Sequence, residues 1–271
     1  FTSDNIVAVT GGDLTPMLDG NKFPMYRAVL VKEGQTLSFA GARNGCRGYI
    51  AFAGGLDIPI VMGSKSTLLR NHLGGVKGRK LEKGDEIGFV SAKTILPNME
   101  VRKVPANVYP KKEIVLRVVL GPQDDEFTEA GVKSFFWNSG VITNEFDRMG
   151  CRLEGPFIAP KETSDIISDG IAFGAIQVPS HGKPIILLAD RQTTGGYGKI
   201  ATVASVDIPK LVQRKTDDKI HFKAITVQEA QALYVEEMKE LDGLRKIIHQ
   251  PCKEVLDCRL VAKRLRKLFE E

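Results

Sequence analysis

Residues 190–199, which read DRQTTGGYGK, carry a dense set of side chains capable of chemistry. They offer a carboxylate, a guanidinium, an amide and two hydroxyls, and Gly195 and Gly196 allow a ligand to approach the backbone closely. Such a set suits a carboxylate, an amide or a phosphate. The same composition is also typical of a tight β-turn that opens on a hydrogen-bonded aspartate, so composition alone leaves both interpretations open.

A second charged group lies in residues 144–156, NEFDRMGCRLEGP. Asp147, Arg148 and Arg152 stand close together there, ahead of a predicted strand. Arginine binds carboxylate and phosphate through two parallel hydrogen bonds, so these arginines are candidates for anion binding. An internal ion pair that stabilises a loop is the alternative interpretation.

Other motifs that could carry chemistry are weaker. The run GSKST at residues 63–67 lacks the spaced upstream glycine of a Walker motif. His72 and His181 lie in glycine-bordered turns, where a solvated turn residue is more common than a general base. No Ser-His-Asp set can be assembled. The four cysteines include no CxxC pair, which argues against a metal site or a disulfide framework and favours reduced thiols in a cytoplasm.

Composition bounds the class of protein. A chain of 271 residues is longer than a single hydrophobic core usually supports, which favours two globular units. Its content of 42% apolar and 26% charged residues is typical of a folded protein. The net charge of +5 lies partly in residues 259–267, and no basic stripe interleaved with aromatics precedes them, so nucleic acid is not an expected partner. No apolar run approaches the roughly 20 residues that a membrane span needs.

The elements that position these residues are mostly strands. Short apolar runs separated by Gly, Asn, Asp and Pro fill residues 6–90, which predicts closely spaced strands. Prolines and little periodicity predict a linker at residues 95–112. We therefore predict a mostly β chain with one unit at residues 1–104, a second at 113–225 and helices at 226–271.

The C-terminal part shows helical periodicity. Residues 226–248 carry apolar residues three and four apart, with Thr226 and Glu229 in capping-box relation. A second amphipathic stretch follows Pro251. It is predicted to be a docking helix with a basic edge, or else a contact for a partner or a membrane.

Four motifs together resemble a known family: AFAGGLDIPIVMGSKST, GPQDDEF, DRMGCRLEG and PIILLADRQTTGGYGKIA. They look like the carboxyltransferase-like C subunit of bacterial 5-oxoprolinase, also described as allophanate hydrolase subunit 2 or the KipA family. The resemblance covers residues 2–234 in order and implies two tandem cyclophilin-like β-barrels. Family members usually begin with several dozen further residues containing a QDxGR-type motif. Because this sequence opens on Phe1 within a strand, we expect the first barrel to be N-terminally incomplete.

The resemblance also implies a reaction. It is the ATP-dependent hydrolysis of 5-oxo-L-proline to L-glutamate, carried out with two partners, the KipI-like B subunit and the A subunit of 5-oxoprolinase. ATP would act in the assembled complex, and biotin is not expected on this chain. An unactivated lactam resists hydrolysis, so we hypothesise that phosphorylation of the lactam oxygen makes the ring susceptible to water.

Site residues follow from this hypothesis. Arg148 and Lys199 are the predicted catalytic cations, and Asp190 is predicted to orient a group or to transfer a proton. No metal site is predicted. The predicted substrate-binding residues are Arg152, His181, Gln192, Thr193, Thr194, Gly195, Gly196 and Tyr197.

Two other functions stay open at this point. Similar domains form the carboxyltransferase part of urea carboxylase, although this chain shows no biotin-acceptor segment with a Met-Lys pair and no ATP-grasp region. Family members are also associated with a non-enzymatic role, in which they regulate a sporulation histidine kinase by binding its KipI-like inhibitor. Binding to the partner without turnover would favour this last interpretation.

Overall fold

The computed structural model of the chain describes residues 1–97, 99, 102–109 and 112–249. We call the part up to residue 109 the first half and the part from residue 112 the second half. In the first half the strands are β1 (Asn5–Asp13), β2 (Pro16–Leu18), β3 (Asn21–Lys22), β4 (Val29–Val31), β5 (Leu37–Phe39) and β6 (Asn44–Phe52).

The first half consists of two small antiparallel sheets around a shared apolar cluster. One sheet has the order β4-β1-β6 and the other the order β3-β2-β5. The alternating run of β1 directs Val7 and Val9 into the cluster, where they join Phe23 and Val31. All four are 1% exposed or less. Within the described residues, this half therefore forms two sheets and not one continuous closed barrel.

The second half has more strands and most of the helix. Its strands are β7 (Glu113–Leu120), β8 (Gly140–Phe146), β9 (Gly150–Glu154), β10 (Asp165–Gly170), β11 (Ala175–Gln177), β12 (Ile185–Leu187), β13 (Thr194–Tyr197), β14 (Lys199–Val203) and β15 (Lys219–Ala224). Its helices are α1 (Glu129–Trp137), α2 (Ile208–Val212) and α3 (Val227–His249).

A closed barrel of seven strands forms the centre of this half, in the order β11-β12-β9-β8-β15-β7-β14. The alternation of β7 explains its inner face, because Ile114, Leu116 and Val118 are buried and the residues between them are not. Phe135 of α1 stacks on Phe222 of β15, with ring centroids 4.3 Å apart. The remaining strands, β10 and β13, form a separate two-stranded antiparallel sheet.

Direct hydrogen bonds join the two halves. The side-chain oxygen of Gln213 accepts from the backbone N–H groups of Cys46 (2.8 Å) and Arg47 (2.9 Å), and its amide donates to the Arg47 carbonyl at 2.9 Å. The guanidinium of Arg47 lies over the ring of Phe146, 4.9 Å from its centroid. Gln213 is 3% exposed, so these bonds are shielded from water.

The predicted linker is held along the first half in its described residues. The Ala28 N–H donates to the Arg102 carbonyl, and the Val104 N–H donates to the Tyr26 carbonyl, each at 2.9 Å. Asn44 and Tyr109 exchange two hydrogen bonds. Residues 102–109 are thus an extended, bonded segment, which proline content and weak periodicity alone did not reveal.

The capping box of α3 is confirmed. The Glu229 N–H donates to the Thr226 hydroxyl at 3.1 Å, and the Thr226 N–H donates to the Glu229 carboxylate at 2.7 Å. The mostly β architecture with a barrel and a C-terminal helix is also confirmed. The second amphipathic stretch, after Pro251, lies outside the described residues. No helix in the described ranges combines the length and the apolar character needed to cross a membrane.

Candidate functional site

Two clefts open on either side of the loop of residues 147–149, which joins β8 to β9. The first, which we call the barrel cleft, has a volume of about 520 Å³ and is lined by β8, β9, β12 and strand β13 of the two-stranded sheet. The second, the junction cleft, has a volume of about 1130 Å³ and lies between the two halves. Asp147 and Met149 line both clefts, so the loop forms their common wall.

A buried amide forms part of the barrel cleft. Gln177 of β11 is 7% exposed, and its side-chain nitrogen donates to the Tyr197 carbonyl at 3.4 Å. Gly195 lies directly beside it, since a Cβ at this position would stand 3.0 Å from the Gln177 nitrogen and 2.8 Å from Cδ1 of Ile171. A side chain at Gly195 would therefore crowd the lining, which explains why this position is glycine.

The charged groups of the barrel cleft balance one another among its described residues. Arg152 pairs with Glu145 at 2.6 Å, and both side chains are at least half exposed. Arg191 donates to the Ile171 carbonyl at 3.0 Å. The Asp147 carboxylate accepts from two backbone N–H groups of its own loop. The lining thus presents two guanidinium groups, two carboxylates and a buried amide, which suits a small polar ligand with one charge.

An ion pair occupies one wall of the junction cleft. Arg148 donates to Asp190 through Nε at 2.8 Å and Nη2 at 2.9 Å, and the Asp190 N–H donates to the Arg148 carbonyl at 2.8 Å. This hydrogen-bonded pairing raises the pKa of Arg148, so the guanidinium stays charged. Asp190 is 23% exposed and Arg148 63%. The carboxylate is held in the wall, while the cation faces the cleft.

Lys199 has a different environment. It is 2% exposed, and its Nζ lies 3.1 Å from the Asp169 carboxylate of β10. The hydrogen bond from Lys199 is the main reason that the pKa of Asp169 lies below its usual value. Lys199 is not among the residues that line either cleft. Its ammonium ties the two-stranded β10–β13 sheet to the barrel strand β14.

The predicted site residues therefore divide into three groups. Arg152, Gln192, Gly195, Gly196 and Tyr197 line the barrel cleft. Arg148 and Asp190 line the junction cleft. The remaining four, Lys199, His181, Thr193 and Thr194, line neither. Their roles stay predictions.

His181 and the two threonines lie on the surface. His181 is exposed, and its Nδ1 accepts a hydrogen bond from the Lys183 N–H at 3.2 Å. It lines a separate shallow depression together with Arg152. Thr193 and Thr194 are exposed where the loop enters β13. His181 therefore lies in a turn, as predicted. Thr194, Gly195 and Gly196 belong to strand β13, so the tight-turn interpretation of this segment is wrong.

Sequence reasoning missed Gln177 and Glu145 as lining residues. Gln177 had a detectable signal, because it is a lone polar residue inside the apolar run AIQVP, and a buried amide in a strand needs a partner or a ligand. Glu145 had none, since its pairing with Arg152 depends on the bend between β8 and β9. The same holds for Asp169, which lies 30 residues before its partner Lys199.

Comparison with known proteins adds three findings. A family model described as "Carboxyltransferase domain, subdomain A and B" matches residues 1–224. The C subunit of 5-oxoprolinase from Haemophilus influenzae is 33% identical over 250 residues, which cover 92% of this chain and 79% of that protein. Its Escherichia coli counterpart is 32% identical over 249 residues with the same coverage.

A solved structure shares the fold. The crystal structure of the K. lactis urea amidolyase superimposes with a TM-score of 0.81 at 26% identity. The match covers 90% of this chain and 16% of that protein. The present chain therefore corresponds to a small part of a much longer enzyme in that case.

Proposed function

This chain belongs to the carboxyltransferase domain family, subdomain A and B, and on that premise we propose that it is a subunit of ATP-dependent 5-oxoprolinase. In this function it hydrolyses 5-oxo-L-proline to L-glutamate together with the A subunit and a KipI-like B subunit. Two relatives above 30% identity that are named as the C subunit of 5-oxoprolinase support the proposal. The urea amidolyase relatives match at lower identity, so a urea-carboxylating role is the weaker candidate.

The barrel cleft is the observation that carries the proposal. The substrate is a small five-membered lactam with one carboxylate, and a cleft of about 520 Å³ lies in the range of small-molecule sites. Arg152 offers a guanidinium for the carboxylate. The Gln177 amide and the backbone at Gly195 and Gly196 can hydrogen-bond the lactam.

Arg148 of the common wall and the residues that position it supply the electrostatics. ATP provides the chemical activation that an unreactive lactam needs, and a cationic donor set such as that of Arg148 fits a phosphate-bearing co-substrate. Asp190 holds the Arg148 guanidinium in one orientation through two hydrogen bonds. Lys199 acts as a positioning residue in this scheme, because it fixes Asp169 and with it the two-stranded sheet that carries Gly195.

Reconstitution tests the function. The purified chain is mixed with the A and B subunits, ATP and 5-oxoproline, and L-glutamate and ADP are measured over time. We expect both products to form at equal rates, and omission of this chain to stop glutamate formation. Binding of the B subunit without glutamate would contradict the proposal and favour the regulatory role. The same mixture with urea and a carboxylated biotin carrier tests the urea-directed alternative.

Gly195→Ala is expected to raise the KM for 5-oxoproline about tenfold, with a smaller effect on kcat. The added methyl group would lie 2.8 Å from Ile171 and 3.0 Å from Gln177, so it takes space that the ligand needs and displaces the amide. Gly170→Ala is the matched control, because a methyl group at this position would have no heavy atom within 4 Å. Steady-state kinetics of both complexes check the prediction, and an unchanged KM in the Gly195 variant would exclude the barrel cleft as the lactam site.

A further inference from the structure

The contact between the two halves is built around an inserted side chain. Gln213 of the second half bonds to β6 where the pairing of β1 with β6 shifts register, between Gly11 and Asp13. A Cβ at Gly12 would stand 3.1 Å from the Gln213 side-chain oxygen, and one at Gly45 would stand 2.6 Å from it. Gly45 also has a φ of 71°, a conformation that favours glycine. These glycines therefore leave the space that the amide occupies, and the halves meet at a defined point.

This contact directs the Arg47 side chain of β6 into the second half. Its guanidinium donates to the Val212 carbonyl and lies over the Phe146 ring, 4.9 Å from the ring centroid. The charge is felt further inside the barrel, because burial raises the pKa of Cys151 to about 12 while the positive charge of Arg47 acts in the opposite direction. Arg47 is thus a residue of the first half whose cation is held by groups of the second.

Phe146 connects this cation to the barrel cleft. Its side chain is partly buried against the core of the second half and lines the cleft, whereas Arg47 lines neither cleft. The pairing of β8 with β9 shifts register between Ile142 and Phe146, so the end of β8 is irregular. A cation over the face of an aromatic ring is attracted by the electrons of that face. The guanidinium can therefore fix the orientation of a ring that strand pairing alone leaves less constrained.

We propose that Arg47 is a positioning residue for the barrel cleft, where it holds the Phe146 ring and with it the start of the loop of residues 147–149. The inference rests on the proposed function for its kinetic test. It goes further by giving the first half a part in a site whose described lining comes from the second half. Arg47 acts on the substrate only through the ring. Without the guanidinium the ring can take other orientations, so the substrate meets a less preorganised wall.

Steady-state kinetics of the assembled complex test this role. Arg47→Met removes the cation and keeps a long apolar side chain. Arg43→Met is the matched control, because Arg43 is exposed and lines neither cleft. We expect the KM for 5-oxoproline to rise about fivefold in the Arg47 variant with kcat within a factor of about two, and both constants to stay at wild-type values in the control. An unchanged KM in an Arg47 variant that still forms glutamate would overturn the proposal.

A double-mutant cycle tests whether the effect passes through the ring. Phe146→Leu removes the ring, so the contact that Arg47→Met would break is already absent. Adding Arg47→Met to Phe146→Leu should therefore raise the KM by no more than a factor of about 1.5 beyond the single Phe146 variant. A further fivefold rise would show that Arg47 acts by another route, and would contradict the positioning role.

Fluorine NMR follows the ring without turnover. The full chain is labelled with para-fluorophenylalanine, and the Phe146 resonance is assigned by its absence from the Phe146→Leu variant. We expect this resonance to shift in Arg47→Met and to keep its position in Arg43→Met. A resonance that stays in place in the Arg47 variant would show that the guanidinium does not hold the ring. Failure of the proposed function looks different, because the wild-type complex then forms no glutamate while the resonance still responds to Arg47.

Discussion

Replacing Asp190 by asparagine is expected to lower the rate of ATP-dependent glutamate formation by about two orders of magnitude or more while the complex still assembles. The wild-type carboxylate accepts two hydrogen bonds from Arg148. Asparagine keeps one acceptor oxygen and presents an N–H₂ group to the other guanidinium nitrogen, so the pairing fails. The released Arg148 then loses the orientation that the proposed chemistry needs.

The loop itself should survive this change. The Asp190 N–H donates to the Arg148 carbonyl, and that backbone bond does not depend on the side chain. A positioning role predicts that kcat falls while the KM for 5-oxoproline, whose proposed site is the barrel cleft, stays within a factor of about two. Assembly is followed by size-exclusion chromatography, and Asp4→Asn, which alters an exposed pair with Lys32, is the matched control. Full activity of the Asp190 variant would sink the assignment.

Asp207→Asn is expected to lower the free energy of unfolding by about 3–5 kcal/mol. Asp207 is 0% exposed, and its carboxylate accepts hydrogen bonds from the backbone N–H, Nε and Nη2 of Arg117 at 2.8, 2.8 and 2.5 Å. Lys210 adds a fourth at 2.6 Å. An amide cannot satisfy this set of donors, so the partly exposed cations Arg117 and Lys210 lose their shared buried anion.

The effect should depend on pH. Burial alone raises the pKa of Asp207, but the hydrogen bonds from Arg117 and Lys210 outweigh it and the pKa lies below the usual 3.8. The stabilisation is therefore present above the pKa of the unfolded chain and is lost as pH falls through the folded pKa. Urea unfolding at neutral and acidic pH measures both variants. The difference in free energy of unfolding between the wild type and Asp207→Asn should become smaller as the pH falls. A difference that grows would contradict this account.

Asp4→Asn serves as the control for stability as well. Asp4 pairs with Lys32 on the surface, and solvent and salt screen such pairs. We expect the unfolding curve of this variant to overlay that of the wild type. A loss equal to that of Asp207→Asn would show that removal of any aspartate has this effect, and would remove the special role of the buried network.

Local patterns determined much of the fold. The alternation in EIVLRVVL predicts β7, and the 3.6-residue period with Thr226 and Glu229 predicts α3, because both depend only on neighbours along the chain. The motif in residues 190–199, together with three others along the chain, was enough to indicate the family. Such signals survive without tertiary information, since periodicity and capping are properties of a short segment.

The tertiary structure decided how the site residues are grouped. Asp190 meets Arg148 across 42 positions, and Lys199 meets Asp169 across 30. Contacts between residues so far apart in the sequence depend on strand register and on bends between strands, which no local pattern encodes. Residues that are adjacent in DRQTTGGYGK consequently face two clefts, the solvent and the barrel wall. The sequence by itself determined which chemistry is present, and only the packing of the strands decided which groups can act on the same ligand.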